Sequence, residues 1–327
     1  MSILRLAAAL LLLPALAHAQ CLGPSLADRL TPAQDAELAA RVAATPYARG
    51  LVWEARRGDA AITLVGTIHV WDPRLDAVAG AVLPLLAGAD AALFEMTDRE
   101  QAALMARMAA DPSLTTIGPG PGLNQMLDPG EWAMLADAAR EHGIPPVVAA
   151  RMRPWLLATT LATPACALEA MQAGRLGLDF TLMEAAAAAG IPTQALEPWD
   201  TVLTLFDALG PEGEMTLLRS ALVDPGIEDE MFVAMLDLYF ARDVAAIWEM
   251  NRIAVAAGGD DDTLALVDAA QDHLIAARNR AWLPVIEAAA RPGTRILVAA
   301  GAGHLPGGEG LLMLLERAGW EVRRLDG

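Results

Sequence analysis

The stretch that most constrains this chain is residues 62–70, Ile-Thr-Leu-Val-Gly-Thr-Ile-His-Val. It is apolar, rich in β-branched residues and of strand length, and it closes on a Gly-x-x-His formed by Gly66 and His69. A second run of the same kind lies far downstream: residues 295–304 read Arg-Ile-Leu-Val-Ala-Ala-Gly-Ala-Gly-His, ending on Gly301 and His304. Each places a histidine at the carboxyl end of a buried-looking strand, where open α/β sheets hold ligands and catalytic groups. Gly66, Gly301 and Gly303 are read as points where a substrate or a second backbone comes close. We expect His69 and His304 to meet in one working site. The competing reading makes both hydrogen-bonded core histidines at strand ends.

The rest of the chain supports a shared sheet. Residues 51–57 read as a strand, Gly58-Asp59 as a turn and 61–70 as the hairpin partner. Asp72-Pro73-Arg74 opens a helix to about residue 86, and 91–96 form a short strand ending on Glu95. Strand, helix, strand predicts a parallel crossover with His69 and Glu95 at neighbouring strand ends. Helices follow over 99–110 and 129–141, then a brief strand at 147–149, helices over 154–172 and 178–189, and a strand at 191–196. Residues 201–289 are almost wholly helical, with breaks near Gly210-Pro211, Asp224-Pro225-Gly226 and residues 258–262. Strand 295–300, helix 310–318 and strand 320–325 close the chain. The predicted fold is α/β: a mixed, mostly parallel sheet built from both chain ends and flanked by helices. It forms one domain over 48–327 with a large helical insertion at about 99–290.

Residues 1–19 have a basic start (Arg5), a short apolar run and an Ala-His-Ala end, the pattern of a cleaved signal peptide. Residues 20–47 then form a leader and a short helix. The apolar run falls short of the roughly 20 residues of a membrane span, so a periplasmic or secreted protein without an integral anchor is expected. Losing Arg5 leaves 22 basic against 41 acidic residues, a net charge of −19, which argues against nucleic acid as a partner. Cys21 and Cys166 are the only cysteines; in an oxidising compartment they either pair or stand as two unrelated thiols.

Absences narrow the chemistry. All 23 basic residues are arginine, which removes Schiff-base and P-loop lysine chemistry. None of the few serines sits in a G-x-S-x-G setting, and no HExxH is present. Glu95 follows Ala-Leu-Phe in an apolar strand, where a carboxylate must be paired, protonated, metal-bound or left at an exposed strand end. Two histidines and a carboxylate suit a divalent ion such as Mn, Co or Zn with positions open for water and substrate. A metal-free histidine base oriented by glutamate is the alternative. Arg278 or Arg280, within Arg278-Asn279-Arg280, can face the core, pair with Glu95 or clamp a substrate carboxylate, unless both lie on a solvated helix face.

Several of these segments together resemble the TraB/PrgY/GumN family, which includes the Tiki proteases, and most closely its bacterial GumN-like branch. They are Leu51-Val52-Trp53-Glu54, Gly66-Thr67-Ile68-His69-Val70, Leu93-Phe94-Glu95-Met96, Gly177-Leu178-Asp179, Arg278-Asn279-Arg280 and Gly301-Ala302-Gly303-His304-Leu305-Pro306-Gly307. The resemblance implies an α/β core similar to erythromycin esterases and ChaN-like haem-associated proteins. It also implies a Mn- or Co-dependent peptidase site at His69, His304 and Glu95. The function expected is therefore an exported metallohydrolase acting on a peptide or small molecule. The alternatives are a metal-free esterase-like hydrolase and a non-catalytic binder of a peptide, haem or signal molecule.

Overall fold

A computed structural model describes residues 21–222, 225–257 and 261–327, so the predicted signal peptide, Asp224 and much of the break at 258–262 lie outside the described residues. Six strands make one sheet: β1 (Val52–Arg57), β2 (Ala60–Thr67), β3 (Ala91–Phe94), β4 (Thr193–Ala195), β5 (Arg295–Gly301) and β6 (Glu321–Arg324). Their order is β4-β3-β5-β2-β1-β6. β4, β3, β5 and β2 run parallel, and β1 pairs antiparallel with both β2 and β6. The mixed, mostly parallel sheet drawn from both chain ends is as expected.

The strand neighbours differ from the expectation in one respect. β2 and β3 are separated by β5, which pairs Ile62 with Ile296 on one side and Ala91 with Ile296 on the other. The crossover from β2 therefore leaves a gap that the C-terminal strand fills. His69 and Glu95 do not end adjacent strands; Gly301 and His304 arrive between them.

Alternation along the strands builds two cores. Ile62, Leu64, Leu93, Ile296 and Val298 pack on the face covered by Trp282 and Ile286 of helix Ala277–Ala289 and by the Leu-rich helix Leu311–Arg317. Val65, Ala92, Phe94, Leu297 and Ala299 pack on the other face, against helices Leu75–Ala87, Leu178–Ala189 and Pro225–Phe240. Part of the helical insertion forms its own cluster around Leu123, Leu135, Leu157 and Leu218.

Other local expectations shift. Residues 147–149 are a helical turn, Pro146–Ala149, because extended Pro145 and Pro146 at the first helical position start a helix. The helix expected over 154–172 is two, Pro154–Leu161 and Ala165–Gln172, broken at Pro164. Gly210 interrupts Thr201–Ser220 with a φ of 65°. β4 joins the sheet from within the insertion and divides it. Cys21 and Cys166 form a disulfide across 145 positions of sequence, tying the N-terminal leader to the insertion. No described helix is long and apolar enough to cross a membrane.

Candidate active site

Three parallel strands end at one edge, and each delivers a side chain. β2 leads to His69, β3 to Glu95 and β5 to Gly301 and His304. Glu95 is the hub. Its Oε1 accepts from the Gly301 N–H at 2.7 Å, and its Oε2 accepts from Arg278 Nη2 at 2.6 Å. His304 Nε2 lies 3.9 Å from Oε1. Gly301 keeps the centre open: a Cβ there would sit 3.3 Å from Glu95 Oε1, 3.7 Å from His304 Cδ2 and 3.8 Å from His69 Nε2.

Both imidazoles are held by their far nitrogen. His69 Nδ1 lies 3.0 Å from Asp179 Oδ2. His304 Nδ1 lies 2.7 Å from Asn279 Oδ1, while Asn279 Nδ2 donates to the His304 and Glu309 carbonyls, so the amide oxygen must be the acceptor and Nδ1 carries the hydrogen. With Nδ1 protonated on both rings, each presents Nε2 to the cluster. Asp179 reaches His69 because helix Leu178–Ala189 starts against the histidine's own backbone: Leu178 N–H donates to Ile68 O at 3.0 Å. A Cβ on Gly177 would fall 2.0 Å from that oxygen, so only glycine permits the approach. The His69 side chain is 59 % exposed at the mouth, whereas His304 is 4 % exposed on the floor, tilted at 34° against Trp282 with ring centroids 4.3 Å apart.

Arg278 is the residue of the arginine pair that enters the site. It grips Glu197 bidentately at 2.8 and 2.7 Å, gives Nη2 to Glu95, gives Nη1 to Leu274 O at 3.1 Å and approaches His304 Nε2 to 3.4 Å. Trp282 Nε1 also donates to Glu197, at 3.0 Å. With its donors engaged inside the protein, Arg278 positions Glu95 and leaves no fork free for a substrate. Arg280 points away, to Glu309 and Asp272 on the surface, so its expected place in the site is corrected. Gly66 and Gly303 pack against protein, under Ala302 and Trp248 respectively, and of the three glycines Gly301 alone faces the cluster.

The electrostatics separate the two histidines. Burial disfavours the charged form of His69, but the hydrogen bond and charge of Asp179, with Glu95 behind it, prevail and raise its pKa to about 9. His304 is lowered to about 4, by burial first, with Arg278 and His69 adding to it and Glu95 opposing. Burial pushes Glu95 up, yet the charges of His304, His69 and Arg278 and the Gly301 N–H outweigh it and hold the carboxyl at about 2.

The donor set suits a divalent ion in kind: two imidazoles anchored through Nδ1, of which His69 would have to give up its Nε2 proton to ligate, one carboxylate oxygen, and space left by Gly301. Among the described residues no three or more His, Cys, Asp or Glu side chains are gathered closely enough to hold an ion. Arg278 supplies the neighbouring positive charge.

Asp179, Asn279 and Glu197 are the site residues that sequence reasoning did not assign. Glu197 had a signal, since it follows Ala195-Leu196 at the end of β4 as Glu95 follows Leu93-Phe94 at the end of β3. Neither the curated proteins nor the solved structures contain a match to this chain. The sequence pattern of one family does match, over residues 51–324, a span that takes in every residue of the cluster, and the chain belongs to the TraB/PrgY/gumN family.

Proposed function

We propose that this chain is an exported hydrolase that cleaves a peptide-type carbonyl bond at the Glu95–His69–His304 cluster. The observation that carries the reading is the paired orientation of the two imidazoles. They come from opposite ends of the chain, each tied through Nδ1, with His304 Nε2 3.9 Å from Glu95 and His69 Nε2 turned to the same Gly301 that borders that carboxylate. A purely structural histidine needs no such orientation. His69 and His304 through Nε2 and Glu95 through Oε1 would hold a divalent ion, which when bound supplies Lewis acidity to a carbonyl and acidifies water. Asp179 and Asn279 fix the tautomers, Arg278 and the Gly301 N–H fix the carboxylate, and Gly301 leaves room for the reacting carbonyl. Export is supported by the predicted leader and by the Cys21–Cys166 disulfide.

A second reading without an ion is favoured by the separation of the histidine pKa values. At neutral pH His304 Nε2 holds a lone pair and His69 carries a proton on both nitrogens. His304 would take a proton from water as the water oxygen attacks the carbonyl carbon, and His69 would give one to the leaving nitrogen, so that water adds across the broken bond.

The test is hydrolysis of a quenched-fluorescence peptide pool by the full mature chain, dialysed against chelator and then resupplied with Mn, Co or Zn. Loss on chelation with recovery on resupply supports the first reading. Unchanged turnover that disappears in His304→Ala supports the second. Turnover that persists in His69→Ala, His304→Ala and Glu95→Gln alike overturns both.

A further inference from the structure

β4 is an edge strand, paired with β3 on one side and, among the described residues, with no strand on the other. Ala92 N–H donates to Pro192 O at 2.9 Å and Leu196 N–H donates to Phe94 O at 2.7 Å. Pro192, Gln194 and Leu196 thus turn their peptide groups towards β3, and parallel pairing turns those of Thr193 and Ala195 outward. No backbone or side-chain partner among the described residues meets these outward groups. Thr193-Gln194-Ala195 also carries none of the charges that commonly guard an edge.

A groove of about 580 Å³ lies along this edge, lined by the whole of β4, Glu197, Trp199 and Arg99. The volume is within the range of ligand clefts. Glu197 belongs to both places: it lines the groove, and it holds the Arg278 that holds Glu95. Through Glu197, just past the carboxyl end of β4, the groove shares a residue with the network that holds the cluster.

We propose that this edge is the substrate-backbone subsite, resting on the hydrolase reading above. An extended peptide adds beside β4 as a further strand, pairs with the outward groups of Thr193 and Ala195, and runs past Glu197 to the Glu95–His69–His304 cluster. The added strand lies about 4.8 Å outside β4, hence roughly 10 Å from β3. At about 3.3 Å per residue, some three residues bridge from the paired segment to Glu95. Substrates then need about six residues in extended form, three to pair and three to reach. Folded proteins are excluded unless they offer an unstructured segment.

The experiment takes the best-cleaved eight-residue member of a random quenched-fluorescence pool, or the tightest-bound member if none is cleaved, and methylates each of its amide nitrogens in turn. Turnover is read on the full mature chain, and binding by fluorescence polarisation on its Glu95→Gln variant. Strand addition predicts alternation: methylation at every second amide of the paired segment weakens binding about tenfold, the equivalent of one lost hydrogen bond, and the intervening positions change little. Ala195→Pro, which removes an outward N–H and no ladder bond, should raise KM for the unmethylated peptide about tenfold with an unchanged melting curve. A uniform response along the peptide, or none, overturns the subsite while leaving the hydrolase reading intact. Alternation in binding without turnover keeps the subsite and removes the hydrolase. A pool that is neither bound nor cleaved removes both.

Discussion

Arg278→Met tests whether one arginine holds the site together. Arg278, Glu95 and Glu197 are 17, 15 and 9 % exposed, so the substitution leaves two carboxylates buried beside an apolar side chain. Losing one partner of a buried pair costs roughly 3–5 kcal/mol. The Gly301 N–H to Glu95 and the Trp282 N–H to Glu197 remain, which places the expected loss near the lower figure, about 3 kcal/mol. For 327 residues an unfolding entropy of about 2.1 cal/mol/K per residue gives about 0.7 kcal/mol/K, and hence a fall in Tm of about 4–5 °C. The pH dependence follows from Glu95. Its folded pKa of about 2 lies below the ordinary carboxyl value, so its stabilisation is present above about pH 4.5 and is lost as pH falls towards 2. Arg278 stands behind His304 and His69 among the charges that hold this carboxyl down, so its loss removes part of the depression and the gap between variant and wild type should narrow over the same interval. Adding Glu197→Gln to Arg278→Met removes one orphaned charge and should restore about half of the loss. Calorimetry of the three chains from pH 3 to 8 is the assay. A Tm change under 1 °C at pH 7, or a deficit independent of pH, would refute the reasoning.

Two further outcomes follow from the same geometry. In the metal-free chain Asp179→Asn should bring the His69 titration midpoint down from about 9, because the hydrogen bond and the charge that raise it most are removed, and imidazole NMR reads this directly. The accompanying stability is present below pH 6.5 and fades as pH rises through about 9, so the variant should fall behind wild type below pH 6.5 and converge with it above 9. Reducing the Cys21–Cys166 bond frees a loop spanning 145 positions, for which chain entropy sets a ceiling of about 5 kcal/mol. Dithiothreitol should lower Tm by several degrees, and Cys166→Ala should show the same fall without it.

The elements legible in the sequence were those whose own residues decide the matter. Residues 62–67 and 296–301 are mostly apolar or small on both faces, as a strand covered on two sides requires, and they lie in β2 and β5. Glu95 was conspicuous as a charge in an apolar run, and it is the residue that Arg278 neutralises. The strand order was hidden, because β5 is separated from both of its neighbours by nearly the whole insertion, and local pattern favours pairing consecutive strands. Asp179 was hidden for another reason: an acid in the first turn of a helix reads as a complement to the helix dipole, and only the docking of Gly177 on Ile68 turns it to His69. Asn279 between two arginines reads as a polar surface, yet it is fully buried beneath His304. Residues at strand ends announce themselves, whereas those that orient them are chosen by packing.

The position of β5 has a consequence for how the chain becomes active. β5 joins the β4–β3 half of the sheet to the β2–β1–β6 half, so until it is in place the two halves share no ladder. Ile296, Leu297 and Val298 are each at most 2 % exposed. At about 1.5–3 kcal/mol each their burial amounts to roughly 5–9 kcal/mol, comparable with the entire stability of an ordinary domain. A chain ending at Ala290 lacks that burial, the Gly301 N–H on Glu95 and His304 itself. It should unfold without a cooperative transition in urea, and a separate peptide of residues 291–327 added in excess should restore both the transition and the site. If the truncated chain melts cooperatively within a few degrees of the full one, β5 is an accessory to a sheet that closes without it, and the site's dependence on both chain ends is catalytic only.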